Sequence, residues 1–156
     1  MNEITIPNYA ALQLEHVVLD YNGTIAKDGI LKEGAKELIH KLCENYTVHI
    51  ITADTFGSVA AQSEDLDIVL KILTSLDHTE EKADYVKALG SRHCAAFGNG
   101  NNDSKMLSNA ALGVAVMGEE GCAGTTLLAS DVVCKSIEEA LELLLYPKRL
   151  IATLRR

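Results

Sequence analysis

The chain has 156 residues, 47% hydrophobic and 23% charged, the composition of one globular domain with a sizeable core. Its formal charge of −8 argues against a nucleic-acid or anionic-membrane surface, whose affinity rests on Lys and Arg. With 4% aromatic residues and no Trp, the core has to be aliphatic.

Ile4 and Ile6 alternate with polar residues, Pro7-Asn8 makes a turn, and Leu12 and Leu14 resume the alternation, so residues 1–14 read as a short hairpin. Val17, Val18 and Leu19 are an apolar run expected to form a buried strand that ends at Asp20. The polar turn Tyr21-Asn22-Gly23-Thr24 follows, with Gly23 for the tight bend and Thr24 to fix it. Lys27-Asp28-Gly29 predicts a second tight turn. Ala35, Leu38, Ile39, Leu42 and Cys43 share one face of an amphipathic helix. Val48-His49-Ile50-Ile51 predicts a strand that runs into Thr52-Ala53-Asp54-Thr55, with a short helix over 56–63. A third strand is expected over 68–73, and a helix over 80–89 that stops at Gly90.

Cys94-Ala95-Ala96-Phe97 predicts a fourth strand, ending in Gly98-Asn99-Gly100-Asn101-Asn102-Asp103. Met106, Leu107, Ala110 and Ala111 give a helix face, and 114–116 and 132–133 two further strands. Ile137, Ala140, Leu141, Leu144 and Leu145 mark a last helix with Ser136 as its N-cap; residues 147–156 are left as a tail. Strands alternating with helices imply an α/β protein, a central parallel sheet covered on both faces. No linker or repeat divides the chain, so residues 1–156 read as a single domain.

Cys43, Cys94, Cys122 and Cys134 form no C-x-x-C pair and lie in or beside apolar stretches, as small thiols in a reducing compartment would. The five histidines lack metal-ligand spacing, which argues against zinc. The N-terminus lacks the basic start and apolar run of a signal peptide, and the apolar run 143–146 is too short to span a bilayer. A cytoplasmic protein with no membrane and no nucleic-acid partner is expected.

Four stretches carry chemistry. In a parallel sheet, ligands bind at the carboxyl ends of the strands. Three of the stretches fall there: Asp20-Tyr21-Asn22-Gly23-Thr24, Thr52-Ala53-Asp54, and Gly98 through Asp103. The fourth is Lys82, at a predicted helix start. Each alone has an ordinary reading. Asp20 would open a turn, Thr52 would end a strand, and Lys82 among Glu80, Glu81 and Asp84 would be a solvated surface lysine. The Gly-Asn loop fails the dinucleotide fingerprint, because Asp103 stands at the third glycine position.

Together and in this order, over about residues 15–135, the four stretches resemble the haloacid dehalogenase-like superfamily. Within it they look most like the phosphorylation domain of P-type ATPases, with its Asp-Lys-Thr-Gly-Thr, Thr-Gly-Asp, Lys and Gly-Asp-Gly-x-Asn-Asp motifs. The resemblance implies a three-layer α/β/α Rossmann-like fold and a magnesium-dependent phosphohydrolase working through an aspartyl phosphate on Asp20. Asp20, Asn22, Thr52 and Lys82 would be catalytic. Asn22, Gly23, Thr52, Ala53 and Lys82 would hold the phosphoryl group. Asp20, the Asn22 carbonyl, Asn99 and Asp103 would be the candidates to hold magnesium. The physical logic agrees, since a carboxylate attacking a phosphoryl group needs cations and hydrogen-bond donors to offset the repulsion.

The chain departs from the pattern twice. Asn22 stands where many phosphatases of this superfamily have the Asp that protonates the leaving group. Asn99 stands where the last loop begins with Asp. Turnover is therefore expected to be slow and metal affinity reduced. The short intervals from Asp20 to Thr52 and from Thr52 to Lys82 leave no room for a cap domain, nor for the nucleotide-binding domain of the pumps. The substrate would be a phosphorylated small molecule or protein, and a small capless member suggests a homo-oligomer. The alternative is a non-catalytic phosphate- or phosphoprotein-binding protein on the same fold. Asp54 is expected to shape its loop rather than react.

Overall fold

The computed structural model describes residues 1–54 and 57–156. Strands β1 (Asn2–Ile6) and β2 (Ala10–Leu14) form the expected antiparallel hairpin. β3 (His16–Asp20) follows, then the two-residue strands β4 (Ala26–Lys27) and β5 (Ile30–Leu31). Asp28 and Gly29, between them, have φ of 52° and 78°, the positive pair a tight hairpin turn demands. Helix α1 (Glu33–Leu42), strand β6 (Thr47–Thr52), helix α2 (Ser58–Gln62) and strand β7 (Val69–Ile72) come next. The expected start of α2 at Phe56 lies outside the described residues, as does Thr55.

Helix α3 (His78–Leu89) begins two positions earlier than its apolar spacing suggests. Asp77 caps it, its side chain accepting the Glu80 N–H at 3.1 Å. Strand β8 (Cys94–Gly98), helix α4 (Ser104–Asn109), strand β9 (Leu112–Val116), helix α5 (Gly124–Ala129), strand β10 (Val132–Cys134) and helix α6 (Ile137–Leu145) complete the core. Ser136 caps α6 by accepting the Glu139 N–H at 3.2 Å. The segment read as a tail is helix α7 (Pro147–Leu154), started by a proline and pinned by the fully buried Leu150.

The six-stranded sheet has the order β10-β9-β8-β3-β6-β7, with every neighbouring pair parallel. The first sheet strand, β3, therefore lies between β6 on one side and β8 on the other. The order reverses there, and ligands bind at such a switch point. Successive residues of a strand face opposite layers. Val17 and Leu19 belong to the core under α1, α6, α7 and the β1–β2 hairpin. Val18 belongs to the other core, with Val86 of α3 and Met106 and Leu107 of α4. Asp20 has the parity of Val18 and so meets the α3 layer. No described helix is long and apolar enough to cross a membrane.

On the same face, beside Val18 in the middle of the sheet, His49 is buried. Its Nε2 lies 3.1 Å from Nδ1 of His16, and its Nδ1 lies 2.8 Å from Oη of Tyr85 on α3. Burial and the neighbouring imidazole hold it down to about 4, against an ordinary 6.5. Between these values the unfolded chain binds a proton that the native state refuses. This contribution to stability is therefore complete above pH 6.5 and lost as pH falls towards 4. The stability difference between wild type and His49→Gln, read from urea unfolding, is expected to shrink by about 1–3 kcal/mol over that window. A pH-independent difference would overturn this account.

Candidate active site

Three strand ends and one helix build the site. Asp20 closes β3, Thr52 closes β6 and Gly98 closes β8, all at the carboxyl edge. The site holds a cavity of about 310 Å³ lined by Asp20, Asn22, Thr52, Ala53, Lys82 and Asn99, with Ile51, Leu73, His78, Gly100 and Asn102. Most of the residues singled out from sequence thus converge on one cavity. Gly23 and Asp103 do not line it.

Lys82 is not at a helix start and not solvated. It sits in the second turn of α3 at 3% exposure, on the face that also buries Ala83 and Val86. Its ammonium donates to Asp20 Oδ1 at 2.8 Å, Asp103 Oδ1 at 2.8 Å and Asn102 Oδ1 at 2.9 Å. All three protons are engaged, so in this state the lysine clamps the nucleophile candidate rather than an open phosphoryl site. The charges around it in sequence are spent elsewhere. Glu80 pairs with Lys105, while Glu81 takes the Thr74 and Ser75 N–H groups and Lys71.

Asp103 was expected to offer a carboxylate to metal. It is fully buried, with Oδ1 on Lys82 and Oδ2 accepting the N–H groups of Asn99 at 3.1 Å and Gly100 at 3.0 Å. It holds the loop and the lysine from behind. Gly23 was expected to present its N–H to a phosphoryl group, but that N–H donates to the Ala26 carbonyl at 3.0 Å. Gly23 serves by being small: at φ 77° its missing Cβ would stand 2.4 Å from Asn99 Nδ2. Asp54, read from the sequence as a residue that shapes its loop, accepts the Val59 N–H at 2.9 Å.

The Thr24 hydroxyl lies 2.9 Å from Asp20 Oδ2 and 3.1 Å from Asn99 Oδ1, so these two oxygens converge on one proton. Asn99 Nδ2 donates to the Gly121 carbonyl at 3.1 Å, which fixes the amide with its oxygen towards Asp20. Asn22 lines the same cavity. A carboxylate and an amide oxygen that converge are hard oxygen donors of the kind magnesium takes, and these two fit that ion. Among the described residues no three His, Cys, Asp or Glu side chains converge, so the fit depends on the amide oxygen as well as the carboxylate. Thr52 Oγ1 accepts the Asp54 N–H at 3.1 Å, which leaves its own proton for a ligand.

Burial, and then the Asp103 carboxylate, push the Asp20 carboxyl up to about 7; Lys82 and Thr24 pull against them. Lys82 is raised: the two carboxylates outweigh its own burial. Sequence reasoning missed Asn102 and His78 as cavity residues. The family motif contains an Asn at the Asn102 position, so that signal was there to use; for His78 only its spacing from Lys82, four residues on one helix, could have suggested it.

The sequence model of the haloacid dehalogenase-like hydrolase family matches residues 85–121, a span that includes the Asn99–Asp103 loop. An uncharacterized protein of Methanocaldococcus jannaschii is 55% identical over 60 residues, 38% of this chain and 64% of that protein. A probable copper-exporting P-type ATPase of Archaeoglobus fulgidus is 38% identical over 96 residues, 60% of this chain and 12% of that protein. The chain thus spans under two thirds of either relative. Among solved structures, a 3-deoxy-D-manno-octulosonate 8-phosphate phosphatase from Moraxella catarrhalis, in complex with magnesium and phosphate, superimposes with a TM-score of 0.71. It is 22% identical, with 91% of this chain and 94% of that one covered. The cobalt-bound form of the Haemophilus influenzae phosphatase gives 0.70 at 17% identity, over 92% and 90%. At such identities the likeness is one of fold.

Proposed function

We propose that the chain, whose residues 85–121 match the model of the haloacid dehalogenase-like hydrolase family, is a magnesium-dependent phosphohydrolase of that family acting through Asp20. The observation that carries this reading is the Lys82 Nζ to Asp20 Oδ1 bond of 2.8 Å, buried at the sheet's switch point and opening on the cavity. In the first step an Asp20 oxygen attacks phosphorus. The bond from phosphorus to the leaving oxygen breaks, and the electron pair goes with that oxygen. In the second step water attacks the same phosphorus, the bond to Asp20 breaks, and inorganic phosphate and the carboxylate are restored. Thr52 donates its hydroxyl proton to the transferred group, beside Ala53 and Asn22. Lys82 sets the Asp20 oxygen and screens the charge that gathers there. Asp20, the Asn22 carbonyl and Asn99 would hold magnesium, which when bound offsets the charge of the phosphoryl group.

Asn22 exchanges no proton, so it gives no acid help to a leaving alkoxide and no base help to water. Phosphate esters are turned over slowly for that reason, and acyl phosphates, whose carboxylate leaves unprotonated, are favoured. Asn22→Asp is expected to raise kcat for an alkyl phosphate about 10²-fold, in steady-state phosphate release. No gain would mean that the missing acid does not limit turnover.

The reading is tested by phosphate release from a panel of esters and acyl phosphates, with and without Mg²⁺. Release that requires the metal supports it. Asn22 and Asn99 favour one other reading, a phosphate- or phosphoprotein-binding protein. Absence of release, together with binding of inorganic phosphate, would establish that reading instead.

A further inference from the structure

We propose that His78 is a catalytic acid and base of this site, acting on the leaving-group side of the transferred phosphoryl group; the inference rests on the phosphohydrolase reading above. His78 lines the same cavity as Asp20, Thr52 and Lys82. It opens helix α3 four residues before Lys82, so the two side chains share one face, one turn apart. Side chains on a helix lean towards its N-terminus. His78 therefore stands outward of Lys82, whose ammonium reaches inward to Asp20. A phosphoryl group between Asp20 and the opening carries its leaving oxygen on that outward side, since attack is in line.

The remaining cavity chemistry offers no substitute. Asn22, Asn99 and Asn102 are amides, Thr52 is a hydroxyl, and Leu73 and Ile51 are apolar. Lys82 has its three protons on three acceptors, and Asp20 is the nucleophile. Among the described residues the half-buried His78 ring has no hydrogen-bond partner, so nothing in the fold accounts for it. Imidazole exchanges protons near neutral pH.

The steps balance. As the bond from phosphorus to the leaving oxygen breaks, the imidazolium of His78 gives its proton to that oxygen. The neutral ring then takes a proton from the water that attacks phosphorus, Asp20 recovers its carboxylate, and His78 ends protonated for the next cycle. Working from the rim, it supplies part of the proton transfer that Asn22 cannot.

The test compares wild type, His78→Ala and His78→Gln on acetyl phosphate and glycerol 1-phosphate, with Mg²⁺. An alkoxide needs a proton to leave and a carboxylate does not. The ratio of kcat/KM for glycerol 1-phosphate to that for acetyl phosphate is expected to fall at least about tenfold in both variants. Added imidazole is expected to restore part of the loss in His78→Ala, a readout that a merely structural role would not move. An unchanged ratio with wild-type-like release overturns the role of His78 and leaves the phosphohydrolase reading standing. Failure of wild type to release phosphate from either compound overturns that reading, and this inference with it.

Discussion

Asp20→Asn is expected to abolish metal-dependent phosphate release and, at the same time, to stabilise the metal-free protein. The loss follows from removing the proposed nucleophile, and should reach about 10⁴-fold or more in kcat. The gain follows from the charges around Lys82. Two carboxylates, Asp20 and Asp103, share one ammonium in a site where the three are 7%, 0% and 3% exposed. One negative charge is left in surplus, and burial makes it costly. An amide at position 20 removes the surplus while Lys82 keeps Asp103 and Asn102.

The sign with pH is definite. The Asp20 carboxyl moves from 3.8 to about 7 on folding, so between those values the native state holds a proton that the unfolded chain has released. Its stabilising effect is complete below pH 3.8 and is lost as pH rises through 7. The advantage of Asp20→Asn should therefore be small near pH 4 and grow to roughly 2–4 kcal/mol above pH 7. His49 acts in the opposite direction over much of that range. The wild-type profile alone can then look flat, and only differences between variants resolve the two groups. Urea unfolding of the metal-free pair at pH 5 and pH 8 makes the measurement. A variant less stable than wild type at pH 8 would remove the charge argument, and one that still releases phosphate would remove Asp20 as nucleophile.

Lys82→Met is expected to do the reverse to stability while also ending activity. It leaves two buried carboxylates facing each other without their cation. Removing one partner of such a cluster costs about 3–5 kcal/mol. The double variant Asp20→Asn, Lys82→Met should recover much of that loss, because only Asp103 then remains charged. It still accepts the Asn99 and Gly100 N–H groups. A double variant no more stable than Lys82→Met would show that packing of the lysine stem, not charge, dominates.

These two variants also separate what can be read along the chain from what cannot. Every central strand announces itself as a short apolar run. A parallel strand is buried on both faces and needs an unbroken run, so β3, β6 and β8 are visible wherever they stand. Asp20 and Thr52 close two of those runs, which is why the strand-end stretches were legible as one site. The interval from Asp20 to Thr52 left room only for the small hairpin and α1, and that from Thr52 to Lys82 only for α2 and β7 before α3 begins, so the lack of room for an inserted cap was equally a property of length. The helix boundaries were less visible. The start of α3 depends on a capping bond from Asp77, which leaves no periodic pattern; α7 does carry one, with Leu150, Ile151 and Leu154 on a single face, but it covers only two turns.

The sequence by itself determined which residues stand as candidates for the site and the edge of the sheet on which they lie, because β-strand periodicity and motif order are local properties. Only the tertiary structure decided what each group touches. Lys82 is surrounded by acidic residues in sequence yet buried in space, because α3 turns its Ala83–Val86 face to the sheet and carries the lysine with it. Asp103 faces the loop it holds rather than the cavity, and the Gly23 N–H is spent on Ala26. His78 enters the cavity only because one helical turn sets it above Lys82. Burial and hydrogen-bond partners are relations between distant segments, and no local pattern encodes them.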